Sequence, residues 1–110
     1  MKKIHRLHKQ KDFLLLFRRG RKVESPLFKV FFKPNHLSWG RLALIVPRGV
    51  SKKAVLRNTL KRRAREWVRK EGKLATRPLD VALAFKKEAA SVPKEIFYEE
   101  LAKALGKISY

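Results

Sequence analysis

Carboxylates are scarce in this chain. Nine Asp and Glu stand against 29 Lys and Arg in 110 residues, for a formal net charge of +20. Asp12 and Asp80 are its two aspartates, and the glutamates are dispersed or gathered near the C-terminal end. A protein nuclease that works with two metal ions needs clustered carboxylates to hold them. This chain is therefore not expected to cut phosphodiesters by itself. Cysteine is absent, which excludes a disulfide framework and a thiolate metal site and fits a reducing compartment such as the cytoplasm. Long apolar runs are missing too, so no transmembrane helix is expected. The basic N-terminal stretch holds only "FLLLF", too short for the apolar region of a signal peptide, and reads as mature structure. No Gly-rich phosphate loop of the Walker or Rossmann type appears. His5 and His8 read as exposed histidines of a frayed basic N-terminus rather than a metal pair. His36, in a turn, has no evident partner as a general base. No residue is assigned to catalysis or to a metal.

What remains is a chain of ordinary single-domain size with a real core. Residues of hydrophobic type make up 45% of it, and a domain this long buries roughly two-thirds of its unfolded surface. Self-repulsion from the net charge destabilises the compact state. A polyanion relieves it through counterion release, so nucleic acid is the leading partner. An anionic membrane ranks second, because a surface-lying protein shows one long amphipathic helix of low hydrophobicity. Here the basic residues are spread over elements that also build a core.

The pattern predicts six elements. Residues 11–19, "KDFLLLFRR", read as a helix with Asp12 in its first turn and Gly20 as a left-handed stop. Its five consecutive apolar residues cover most of the circumference, so it is either buried on two sides or turns an aromatic edge to a cleft. Residues 27–33 and 41–47 read as strands joined in an antiparallel hairpin through the Pro34, Asn35 and Gly40 turn signals. The second is nearly continuous in apolar residues and is expected to be buried on both faces. Ser51 is placed as N-cap of a long helix over 52–70, stopped by Gly72. "LDVALAFKK" reads as a third strand, its Ala82 and Ala84 leaving room for a helix on the small face. A last helix begins at Ser91, with Pro93 in its first turn. Its stripe of Phe97, Leu101, Ala104, Leu105 and Ile108 marks it as packing, and Glu99 stands four before Lys103. The fold class is α+β: a two-layer sandwich with one mixed sheet, in the order α-β-β-α-β-α.

The most informative segment is "RNTLKRRAREWVRK", residues 57–70, with five Arg, two Lys and the single carboxylate Glu66. On a helical wheel Leu56, Leu60, Ala64, Trp67 and Val68 share about a third of the circumference and face the core. Arg57, Lys61 and Arg65 form a row at one edge, with Asn58, Arg62 and Arg69 beside it. A solvated face ordinarily mixes signs for i,i+4 support; this one does not. A rigid row of guanidinium forks suits phosphate oxygens, so contact with nucleic acid is preferred over a merely solvated face. A helix-turn-helix DNA regulator needs a second helix within a short turn, whereas strand-like segments flank this one. A ribosomal or other structural RNA-binding protein remains the alternative.

"AVLRNTLKRRARE" resembles the signature helix of the protein subunit of bacterial ribonuclease P, A-V-x-R-N-R-x-K-R-x-x-R-E. "RLHKQKDFLLLFRRG" resembles that family's first helix, and the spacing to the three strand segments fits from about Arg6 to Leu105. The resemblance implies a small α+β protein that binds a catalytic RNA and helps it remove the 5′ leader of precursor tRNA. The implied partners are ribonuclease P RNA and precursor tRNA, with no membrane and no protein partner required. Magnesium would be held mainly by the RNA, with none bound tightly by the protein alone. Carried over by position, Arg57, Asn58, Lys61, Arg62 and Arg65 match the motif and would meet RNA, and Arg69, beside them on the wheel, is placed with them. Phe13, Phe17 and Phe31 would line the leader cleft. Thr59 stands where the family has a further basic residue, and the loop "VPRGVSKKAV" departs from the family's Ser-x-Lys-Lys-x-Gly. Arg48, Lys52 and Lys53 are expected to share that loop's role. The resemblance also implies a left-handed crossover through the basic helix, where general rules favour the right-handed one.

Overall fold

Large and small apolar residues alternate over Val81–Phe85, and Leu79–Phe85 becomes the central strand of a five-stranded mixed sheet. The computed structural model describes residues 4–108. In chain order the elements are β1 (His5–Arg6), α1 (Gln10–Arg19), β2 (Arg21–Glu24), β3 (Phe28–Pro34), β4 (Arg41–Ile45), α2 (Ala54–Glu71), β5 (Leu79–Phe85) and α3 (Lys94–Gly106). Short 3-10 turns at Leu74–Thr76 and Lys87–Ala90 flank β5. The six expected elements are all present. Two short strands join them, giving the sheet order β1-β4-β5-β3-β2.

The expected hairpin between β3 and β4 does not form. β5 lies between β3 and β4, antiparallel to the first and parallel to the second. Residues 35–40 pass over the start of β5 rather than turning tightly. The Asn35 amide N–H donates to the Pro78 carbonyl, and the Gly40 N–H donates to that of Leu74. Gly40 is required there, since a Cβ would lie 2.2 Å from the Leu74 carbonyl oxygen. The parallel β4 and β5 are joined through α2, the crossover unit. Only the Leu42–Ala43 centre of β4 is buried, and β5 is the strand covered on both faces.

One face of the sheet carries the main core. Phe28, Val30, Phe32, Leu42, Val81, Leu83 and Phe85 meet Leu60, Ala64 and Val68 of α2 and Phe97, Leu101 and Ala104 of α3. Phe28 meets Phe85 and Phe97 edge-on, at ring-centroid distances of 5.2 and 5.5 Å, a favoured geometry for aromatic pairs. The wheel of α2 is thus reproduced, with Leu56 and Trp67 half-buried at its margins. Trp67→Ala is expected to lower stability by about 2 kcal/mol, roughly half the cost of truncating a fully buried aromatic. A fallen melting temperature would check it; an unchanged one would show that the indole packs on nothing that matters.

On the opposite face α1 rests on small residues, as the Ala82 position suggests. Leu7, Leu16, Ala43 and Ala82 are buried together, with Phe13, Phe31 and Ile45 packed against them. Gly20 ends α1 with φ −77° rather than in the left-handed region. Glycine is needed for proximity instead: a Cβ would sit 2.4 Å from the Leu16 carbonyl oxygen and 2.9 Å from that of Phe32. Gly72 does adopt the left-handed stop, at φ 81°. Ser51 is not the cap of α2, because the helix begins at Ala54 and Lys53 is its N-cap; the Ser51 hydroxyl accepts the Lys53 N–H instead. The last helix likewise starts after Pro93, not at Ser91. Lys103 pairs with Glu100 rather than Glu99.

Candidate nucleic-acid interface

Burial of Leu60, Ala64 and Val68 fixes the rotation of α2, and this decides where its charges go. Arg62, Arg65 and Arg69 are exposed, as is Asn58, while Arg57 and Lys61 are half-buried. Lys22, Arg41, Lys73, Lys86 and Lys103 stand in ion pairs, whereas among the described residues no cation of α2, and so none of the row, has a carboxylate partner. Repulsion along it is tolerated because the helix is anchored by its apolar face. Thr59 turns its hydroxyl back to the Val55 carbonyl at 2.9 Å and adds no charge to the row.

The loop before α2 is tied to the row. Arg57 donates from Nη1 to the Ser51 carbonyl at 2.8 Å, and the Val50 N–H donates to Pro47. Arg48, Lys52 and Lys53 are exposed on this loop. It follows directly from β4, so its cations begin where that strand ends. Arg65 lies at the other end, sharing a surface hollow of about 170 Å³ with Ile4, His5, Arg6 and Leu42. The basic row thus reaches the β1 edge of the sheet.

The other face holds an aromatic cleft. Phe13 and Phe17, one turn apart on α1, stack with centroids 6.0 Å apart. Phe17 meets Phe31 of β3 edge-on at 4.9 Å. Leu16 is the one buried residue of α1, whereas Phe17 is 44% exposed. The helix is therefore not buried on two sides, and its aromatic edge is open. Leu14 and Leu15 are also exposed, at 47% and 38%, on a separate edge beside Lys11 and Arg18. Register extends the floor beyond the three Phe. Phe31, Ala82 and Ala43 form one cross-strand row, and Lys29, Ala84 and Ile45 form the next.

The sequence and the fold both have counterparts among known proteins. The family model described as Ribonuclease P matches residues 1–109. The chain belongs to the ribonuclease P protein family. The ribonuclease P protein component of Thermotoga petrophila is 32% identical over 107 residues, covering 94% of this chain and 91% of that one. Identity rises to 40% with the component from Chromobacterium violaceum, over 68 residues that cover 62% of this chain and 56% of that protein. The solved ribonuclease P protein from Thermotoga maritima superposes with a TM-score of 0.84 at 30% identity, covering 96% and 99% of the two chains. That from Staphylococcus aureus gives 0.85 at 26% identity over 94% of each.

Within this ribonuclease P protein frame, the structure brings the sequence-derived residues together in two groups. The basic residues of α2 and its loop form one, and Phe13, Phe17 and Phe31 form the other. Lys29 and Ile45 were missed as cleft residues, though strand alternation plus the β3–β5–β4 register would have found them. Also missed was the anchor of α1. Arg41 donates from Nε and Nη2 to Asp80, both at 2.8 Å, and from Nη1 to Asp12 at 3.1 Å. The Asn35 side-chain amide adds a bond to Asp80 at 3.0 Å. The hydrogen bonds to Asp80 raise the Arg41 pKa above its ordinary value, so the cation persists at every working pH. Both aspartates are thus committed to one arginine that fastens the start of α1 to the sheet.

His5 is not frayed: from β1 it pairs with Arg41 of β4, and it lies against Trp39. Exposed His8 makes a 3.3 Å contact with the Arg6 carbonyl, and His36 is exposed in its turn. Among the described residues no three His, Asp or Glu gather as a metal site, and no helix is long and apolar enough to cross a membrane.

Proposed function

We propose that this chain is the protein subunit of a ribonucleoprotein endonuclease that removes the 5′ leader from precursor tRNA. The basic helix and its loop bind the catalytic RNA, and the α1 cleft takes the single-stranded leader. Arg48, Lys52, Lys53, Arg57, Lys61, Arg62, Arg65 and Arg69 supply charge to phosphates, and Asn58 offers a donor and an acceptor beside them. Phe13, Phe17 and Phe31 offer π-faces, which accept any base and suit leaders of varied sequence. Lys29 beside them offers a cation to the leader's backbone. The observation that carries this reading is the basic row on α2, which has no carboxylate partner in the described protein.

The carboxylates among the described residues do not make a magnesium site. Asp12 and Asp80 are occupied by Arg41, and no other acidic group gathers among the described residues. The proposal leaves the ions, and the bond cleavage, with the RNA. Reconstitution at low magnesium tests it. Precursor tRNA labelled at its 5′ end is incubated with ribonuclease P RNA alone, protein alone, and both. Accurate leader removal is expected only with both. Tight RNA binding without rescue would instead favour a structural RNA-binding protein.

A sharper test addresses the cleft. Phe17→Ala removes a stacking face worth roughly 1–3 kcal/mol. In the holoenzyme it is expected to weaken precursor binding about tenfold or more and leave mature tRNA binding unchanged. Equal loss for both would sink the leader assignment.

A further inference from the structure

The turn before β4 holds an aromatic side chain that the fold does not need for its core. Trp39 is 39% exposed and belongs to neither core cluster. Yet its backbone is pinned on both sides. Its carbonyl accepts from the Asn35 side-chain amide at 3.1 Å, and Asn35 Oδ1 accepts the Leu37 N–H at 2.9 Å. The next residue, Gly40, donates to Leu74 and is wedged against it. A rigidly presented, exposed indole loses little entropy on binding, which is the property of a preorganised contact.

Its only described ring partner is His5, with centroids 5.0 Å apart and planes tilted by 34°. His5 in turn lines the hollow that Arg6 and Arg65 also line. Arg6 and Arg65 are both exposed, and neither has a carboxylate partner among the described residues. An aromatic pair therefore continues the basic row of α2 around the β1 edge. Cations flanking an open aromatic face match the chemistry of an unpaired nucleotide, with its base on the ring and its phosphate on the guanidinium groups.

We propose that Trp39 and His5 form a stacking platform for one unpaired base of the catalytic RNA, with the adjacent phosphate held by Arg6 and Arg65. The inference rests on the proposed role of α2, because continuity with Arg65 is what assigns the platform to the catalytic RNA rather than to the substrate. Stacking adds affinity without releasing counterions, so it is separable from phosphate contacts by its salt behaviour.

The test measures binding of the full chain to the catalytic RNA of ribonuclease P from the same organism across monovalent salt. Trp39→Leu is expected to weaken binding about tenfold with an unchanged salt slope. Trp39→Phe, which keeps a π-face, is expected to bind within about threefold of the parent. Affinity within twofold for Trp39→Leu would overturn the platform. If Arg62→Ala with Arg65→Ala still weakened binding, the platform alone would fall; if that variant also bound normally, the basic-face reading would fall with it. Should Trp39→Leu fail to fold, a Trp67→Phe variant leaves Trp39 as the single tryptophan, excited apart from the two tyrosines. Its emission is expected to be quenched by the catalytic RNA and not by precursor tRNA alone. Absence of quenching by the catalytic RNA, or quenching by precursor tRNA alone, would overturn the assignment.

Discussion

Replacing Arg62 and Arg65 together by Ala is expected to weaken binding of the catalytic RNA by roughly a hundredfold and to flatten its salt dependence. Both side chains are exposed on α2 and neither has a carboxylate partner among the described residues. Their removal therefore leaves the protein's own ion pairs intact, and melting should be unchanged or slightly higher as like-charge repulsion falls. Net hydrogen bonds to charged groups are worth about 1.5–3 kcal/mol each, and about 1.4 kcal/mol is tenfold in affinity. Two lost contacts thus give about a hundredfold. Each lost phosphate contact also removes about 0.7–0.9 from the slope of log affinity against log salt, so the slope should fall by about 1.5. Weaker binding at an unchanged slope would mean that these arginines contact something other than phosphate.

Arg57 is a poorer choice for that test, although its motif position is the more conspicuous. Its guanidinium holds the Ser51 carbonyl and so shapes the loop that carries Lys52 and Lys53. Truncating it removes a charge and loosens two others, and the two effects would merge in one measured affinity. The Arg57–Ser51 bond joins those of Val50 to Pro47 and of Lys53 to the Ser51 hydroxyl in ordering this loop.

The contrast between α2 and the sheet shows what the sequence made legible. The face of α2 was readable because helical geometry alone places Leu60, Ala64 and Val68 together, and the charges must then take the other sides. The three Phe of the cleft came from family resemblance, and the over-apolar α1 pointed to them without deciding the matter. Strand neighbours were not readable, because pairing depends on contacts distant in sequence. Residues 27–33 and 41–47 invite a hairpin, but β5 offers both a surface to bury. The two-residue β1 and the polar β2, "RKVE", carry almost no strand signal of their own. They form because the edges of β4 and β3 are there to pair with. The same limit hid Arg41, whose partners lie 29 and 39 residues away.

Asp80→Ala is expected to cost about 3 kcal/mol, because it strands a charge that the fold has already desolvated. Asp80 is 6% exposed, and its two oxygens receive three of the bonds that knit Arg41 and Asn35 together. Breaking a buried pair by removing one partner costs about 3–5 kcal/mol. The lower figure applies here because Arg41 keeps Asp12 and some access to water. For a domain near this size about 3 kcal/mol lowers the melting temperature by roughly 12 °C. Asp12→Ala should cost less, about 1 kcal/mol, since both members of that pair are partly solvated. Its effect should instead appear in the cleft. Asp12 precedes Phe13, so releasing it frees the start of α1 and the ring that stacks on Phe17. Leader selectivity should fall severalfold while affinity for the catalytic RNA is kept, because α2 lies on the other face of the sheet. If Asp12→Ala left leader selectivity intact, the Arg41 network would serve stability alone, and the cleft would be held open by the packing of Leu16 without it.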